Sequence, residues 1–176
     1  MYNAETIRKI DEFIGKEKEI VGHVVWNRKN KDKSSYVAKF PLSSNEQLIM
    51  DFDFESTAAA SGKTNLQTGT LKILHLSDIE KEKILVCRMH IIPGNAHSNP
   101  RIKGCDVSGS TYPPNATRFY PWEDMKLLYA SNLNKQRHIA RIFDNVNNFQ
   151  ESLDFFLKYA NIKGTIKLPE YENTLL

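Results

Sequence analysis

A histidine at position 97 stands in PGNAHSNP, residues 93–100, flanked by Asn95 and Asn99 and three residues ahead of a proline. An imidazole, with an ordinary pKa of about 6.5, is the side chain suited to moving protons at neutral pH. Pro100 restricts Asn99 to extended backbone, so a stiffened segment presents His97. A second imidazole, His90, follows Arg88 by two residues in KILVCRMHII, and strand alternation groups the pair with Ile84, Val86 and Ile92. A base, a cation for phosphate and a proton donor are what a ribonuclease needs when the 2′-hydroxyl is the nucleophile, without a metal. His97 and His90 are therefore the candidate catalytic residues, and Lys63, Thr64, Gln67, Arg88 and Asn99 the candidates for holding substrate. The same residues admit plainer roles: Asn99 and His97 capping carbonyls of a loop, and Arg88 and His90 pairing with an acidic strand across a sheet.

Other stretches carry weaker chemistry. SGKTNLQTG, residues 61–69, places Gly62, Lys63 and Thr64 as a phosphate loop would, but Thr57 stands where the first glycine is needed and no helix pattern follows. In QLIMDFDFES, alternation lines Asp51, Asp53 and Glu55 along one side of a strand, an array that suits a hard cation or a solvated outer face equally. No second ligand cluster accompanies it, so neither a metal nor a cofactor is expected. Cys105 would need a paired histidine to act as a nucleophile.

The elements that must position these residues follow from periodicity. NAETIRKIDEFIGKEKE spaces Ile7, Ile10, Phe13 and Ile14 as an amphipathic helix, with Asn3 as a cap and Gly15 near its end. Five segments then read as strands: EIVGHVVW, SYVAKFPL, QLIMDFDFES, TLKILHL and KILVCRMHII. NRKNKDK between the first two reads as an exposed basic hairpin tip carrying Lys29, Lys31 and Lys33. Pro121 and Trp122 open a short helix or a turn, and NLNKQRHIARIF, with Arg137, His138 and Arg141, fits helix and strand alike. A final helix is marked by the stripe Phe149, Leu153, Phe156, Leu157 and Ala160, with Asn147 or Asn148 as its cap. The expected fold is α+β: a curved antiparallel sheet of about five or more strands with an N-terminal and a C-terminal helix. Residues 1–176 form one domain in this reading, with a tail from about residue 165.

Composition agrees with a folded chain, 40% hydrophobic and 26% charged. A net charge of +3 permits a nucleic-acid partner without demanding one. Apolar runs fall well short of the ~18 residues of a membrane span, so no membrane partner is expected. Without a signal-peptide pattern at the start, Cys87 and Cys105 read as free thiols of a cytoplasmic protein. No oligomeric state follows.

Taken together, K-T-x-x-Q at Lys63 to Gln67, the apolar strand bearing Arg88, G-x-x-H-x-N-P from Gly94 to Pro100 and F-L-x-Y-x-N-I from Phe156 to Ile162 carry a resemblance. Over about residues 45–170 the chain resembles a family of small, largely uncharacterised bacterial and prophage proteins met near toxin–antitoxin and defence genes. Members continue past the proline into an acidic-glycine turn and a P-H-L-H strand. This chain reads RIKGCDVSGSTYPP there and lacks that histidine pair. The resemblance implies a mobile-element protein acting on nucleic acid or on a nucleic-acid machine. Two functions compete. One is an RNA-directed protein of toxin type, a metal-independent ribonuclease with His97 as acid or base. The other is a non-enzymatic inhibitor that binds a host nucleoprotein complex such as a CRISPR effector, through a sheet edge, the basic hairpin and the exposed aromatics Tyr120 and Trp122.

Overall fold

Asn3 does cap the first helix, α1 (Ala4–Gly15), its side chain accepting the Glu5 N–H at 2.8 Å. The helix turns Thr6, Ile10 and Phe13 inward, and a buried lysine, Lys18, closes its other end by donating to the Phe13 and Lys16 carbonyls. These contacts come from a computed structural model that describes residues 3–30, 33–43, 47–55, 66–77, 79, 81–130, 138–143 and 149–168. Lys63, Thr64 and the caps Asn147 and Asn148 lie outside the described residues, as do the side chains of Asp51, Asp53, Glu55 and Gln67.

The fold is α+β, with three helices and three sheets among the described residues. Its strands are β1 (Lys18–Glu19), β2 (Asn27–Asn30), β3 (Lys33–Pro41), β4 (Gln47–Glu55), β5 (Leu66–Ser77), β6 (Glu82–Ile91), β7 (His97–Ser98), β8 (Thr111–Tyr112), β9 (Arg118–Tyr120), β10 (Arg141–Ile142) and β11 (Ile162–Lys163). The other helices are α2 (Trp122–Ala130) and α3 (Phe149–Tyr159). An antiparallel sheet runs β10-β9-β6-β5-β4-β3-β2, while β1 pairs in parallel with β11 and β7 pairs with β8.

Four of the five expected strands are present, as β3 to β6, and the first is not. EIVGHVVW is not a sheet strand: after β1 the chain makes a single bridge, Ile20 to Leu42, and Gly22 adopts φ +85. A left-handed residue breaks the alternation, and Val21 and Val25 are left exposed. Of the basic run expected as a hairpin tip, Asn27–Asn30 form β2, which pairs antiparallel with β3 from Lys33 on, and residues 31 and 32 between them lie outside the described residues. The tail is docked at least through Leu168, since Ile166 is buried and Trp26 donates its ring N–H to the Lys167 carbonyl at 2.9 Å.

Register sorts the central strands into two faces. Leu71, Ile73, Cys87, Met89, Ile91 and Phe119 belong to the buried core, where Phe119 packs edge-on against Phe155 and Tyr159 of α3. The alternate residues form cross-strand rows, Thr70–His90–Arg118 and Lys72–Arg88–Tyr120. A register shift between Ile73 and Leu74 leaves Val86 unpaired, and Ile84, Val86 and Cys87 are all fully buried. This bulge moves Ile84 and Val86 off the face of Arg88 and His90, contrary to strict alternation.

Candidate functional site

The row residues are covered by two irregular segments. Residues 93–115 fold back as a small hairpin, with His97 paired to Tyr112, Asn99 N–H donating to the Ser110 carbonyl at 2.8 Å, and Gly104 and Gly109 at φ +84 and +73. Residues 138–142 cross beside it and are pinned by Arg141, which donates to Asp124 at 2.6 and 3.0 Å and to Asp106 at 2.7 and 3.1 Å. Two carboxylates around one guanidinium hold its pKa above the usual arginine range, the Asp124 hydrogen bonds contributing most.

Asn99 ties the two segments together. Its amide donates to the Val107 and Ala140 carbonyls at 2.9 and 2.8 Å, and its oxygen accepts from Ala140 N–H at 2.7 Å and from His97 Nε2 at 3.0 Å. Both amide hydrogens and both oxygen lone pairs are thereby used, so Asn99 positions His97 and has no capacity left for substrate. Tyr112 reinforces the tie with its hydroxyl on the Ala140 carbonyl at 3.1 Å.

His97 Nε2 also lies 3.1 Å from the His138 carbonyl. Two acceptors around Nε2 fix the proton there and leave Nδ1 as the basic nitrogen. The three histidines His90, His97 and His138 all pack around Tyr120, with ring centroids at 5.3, 5.5 and 6.1 Å. Arg88 lies over the same ring at 4.3 Å, and its Nη2 is 3.2 Å from His138 Nδ1. Because a guanidinium only donates, His138 Nδ1 is an acceptor. Arg118, 1% exposed, donates through Nη2 to the Asn95 carbonyl at 2.6 Å and to its side-chain oxygen at 3.1 Å.

The charges of this cluster are unbalanced. Neither Arg88 nor Arg118 meets a carboxylate among the described residues, and each has a buried Nε without a hydrogen-bond partner. The expected pairing of Arg88 with the acidic strand falls on side chains outside the described residues; β5 lies between β4 and β6, and among the described residues Arg88 meets His138 and Tyr120. Burial first, then Arg88, Arg118 and the neighbouring histidines, pulls His90 down to about 3. Burial and the Arg88 charge bring His138 to about 4. His97 is lowered too, again mainly by burial, with its bonds to Asn99 and the His138 carbonyl opposing the shift. Arg88 itself is lowered by desolvation. At pH 7 the site thus holds neutral imidazoles beside two cations, an arrangement that attracts an anion and supplies bases ready to accept protons.

Sequence reasoning located Arg88, His90, His97 and Asn99, which the structure brings together. It missed Arg118 and Tyr120 as members, and read Tyr120 and Trp122 as exposed aromatics; they are 1% and 2% exposed. Trp122 spans to α1, donating its ring N–H to Asp11 at 2.7 Å. Arginine and tyrosine alternating about Phe119 in RFYPW were the available signal. His138 stood in view within HIARIF without a partner legible from sequence.

Cys105 has no histidine partner. Its sulfur lies within 4.8 Å of Asp106 and Asp124, but both carboxylates are bound by Arg141, whose positive charge opposes a cation there. Burial pushes the Cys87 thiol well above its usual range, which makes it inert. No helix among the described residues is long and apolar enough to cross a membrane. The chain matches no protein-family model, no curated protein and no solved structure.

Proposed function

We propose that the protein is an RNA-directed, metal-independent ribonuclease of toxin type, acting in the cytoplasm on single-stranded RNA. The observation that carries this reading is the pair of guanidinium groups, Arg88 and Arg118, that meet no carboxylate among the described residues and stand beside three imidazoles that are neutral at pH 7. A phosphodiester seated there receives hydrogen bonds from Arg88, and its negative charge opposes the fields of Arg88 and Arg118 that add to burial in holding His90 low. His97 Nδ1 takes the proton of the 2′-hydroxyl, whose oxygen bonds to phosphorus. The phosphorus to O5′ bond breaks, and the leaving oxygen takes a proton that His90 has taken up from solvent as the bound anion offsets the two guanidinium charges, which leaves His90 neutral again. The products are a 2′,3′-cyclic phosphate and a 5′-hydroxyl end.

Incubation of the protein with single-stranded RNA in EDTA tests this directly. Wild type is expected to generate those ends, to spare a strand with a 2′-deoxy residue at the scissile position, and to lose about 100-fold or more in rate on His97→Ala. A His97→Ala protein that cleaves RNA and inhibits growth as wild type does would refute the mechanism.

One observation favours the second reading, a non-enzymatic inhibitor of a host nucleoprotein complex. The strand β2, last in the described sheet, follows the exposed Val21 and Val25, 50% and 63% accessible, and lies at the edge where a partner strand would add. Capture of such a complex that survives His97→Ala and is lost on Val25→Glu, or on charge reversal at Lys29, Lys31 and Lys33, would select it.

A further inference from the structure

We propose that the cleft beside the cluster is a nucleobase subsite, so that the site receives one unstacked base of a single RNA strand together with the adjoining phosphodiester; this rests on the reading of the cluster as a phosphodiester site. The cleft has a volume of ≈ 280 Å³ and is lined among others by Thr70, His90, Ile92, Asn95 and Asn115. His90 belongs to both the cleft lining and the Arg88–Tyr120 cluster, so the cleft borders the cluster. The volume is at the small end of ligand pockets, which begin at about 300 Å³, and suits one base with its sugar but not a base pair.

The lining offers hydrogen bonds that the fold does not use. The side-chain amide of Asn115 and the hydroxyl of Thr70 have no hydrogen-bond partner among the described residues. Asn95 gives its side-chain oxygen to Arg118, a donor that fixes the amide orientation, and keeps both N–H groups for another acceptor. Amides and a hydroxyl presenting donors and acceptors at the rim of a small cleft are the groups that read the edges of a splayed base.

Backbone strain marks the same place independently. Ile92, a β-branched residue, adopts φ +47, and Asn115 adopts φ +66. The first is held by its N–H on Thr117 Oγ1 at 3.3 Å and the second by its N–H on the Pro93 carbonyl at 2.8 Å. The sharp exit from β6 that Ile92 makes returns the chain so that Asn95 reaches Arg118. A β-branched residue is retained in this region only where the surroundings impose it, and such sites cluster at ligand clamps.

Calorimetric titration of the whole protein with the four nucleoside 3′-monophosphates, with ribose 5-phosphate and with inorganic phosphate tests the subsite. At least one nucleotide is expected to bind about tenfold more tightly than ribose 5-phosphate, the effect of one or two good hydrogen bonds. In the Thr70→Val, Asn115→Gly double variant that preference disappears while inorganic phosphate binds as in wild type; glycine accepts φ +66 and valine suits a strand, so the frame is kept. If every nucleotide binds wild type like ribose 5-phosphate, or the double variant keeps the preference, the base subsite is refuted and the phosphodiester reading stands. If wild type binds neither inorganic phosphate nor any nucleotide, the reading beneath it fails too.

Discussion

Lowering the pH from 7 to 5 should destabilise the folded protein through His90 and His138. In the unfolded chain both rings titrate at about 6.5, whereas in the fold they are held at about 3 and about 4. The unfolded state therefore takes up protons that the native state refuses, so the stability is fully present above pH 6.5 and is lost as pH falls toward 4. Over the 1.5 units from about 6.5 to 5, each ring would contribute about 2 kcal/mol at 1.36 kcal/mol per unit if fully shielded. Both are partly solvated, which screens the effect, so the expected loss for the pair is about 2 kcal/mol rather than about 4. The Asp11 and Asp106 carboxyls are shifted down by their hydrogen bonds to Lys126, Trp122 and Arg141, away from this window. Urea unfolding followed by fluorescence of the buried Trp122 measures the loss, and the His90→Gln, His138→Gln double variant should abolish most of it. Equal stability at pH 7 and 5, or an undiminished loss in the double variant, would refute the placement of these rings against Arg88. Proton NMR should show neither ring titrating above pH 5.

Arg88→Met removes a buried cation that no carboxylate among the described residues balances, so the variant should be at least as stable as wild type at pH 7 by thermal melting, and phosphate binding by calorimetry should be lost. Asn99→Ala strands the buried Ala140 N–H and removes one of two donors from each of the Val107 and Ala140 carbonyls, which keep the Ser110 N–H and the Tyr112 hydroxyl, and urea unfolding should show a loss of about 1–3 kcal/mol with a displaced His97 NMR signal. Asp124→Asn weakens the hold on Arg141; a loss of about 1–2 kcal/mol is expected, with a shift of the His138 ring signals because β10 is no longer pinned. Cys105→Ser should leave both stability, within about 0.5 kcal/mol, and RNA cleavage unchanged.

How much of this was legible in the sequence depended on the length of each element. In α1 and α3 the apolar stripe repeats over 12 and 11 residues, and every residue assigned to the final stripe, Phe149 through Ala160, is buried. The strands β3 to β6 run for nine to twelve residues, long enough for alternation to be read, though the bulge at Val86 was not. Strands β7 to β11 are two or three residues long and carry no period; they exist because neighbours pair with them. In β2 a run of cations conceals a strand, because an edge strand has one solvated face and one paired side, and polar residues satisfy both. The site was legible as residue types and not as a constellation. The contacts that build it join positions 50 and 41 residues apart, Arg88 with His138 and His97 with the His138 carbonyl, through irregular segments.

The way the fold distributes its carboxylates bears on why the cluster exists. Arg141 is 40% exposed in its side chain and could be left to water, yet it holds Asp106 and the buried Asp124 together. Arg88 and Arg118 are more deeply placed and make no ion pair among the described residues, although an unbalanced buried cation is among the more costly features a fold can carry. Adding a carboxylate beside them would stabilise the free protein and fill the place of an anion. The neutral histidines follow from the same choice, since protonating them would add cations to a site already in excess. Stability alone would favour apolar residues at positions 88 and 118; retaining both arginines makes sense if the missing counter-charge arrives with the substrate, as a phosphodiester does.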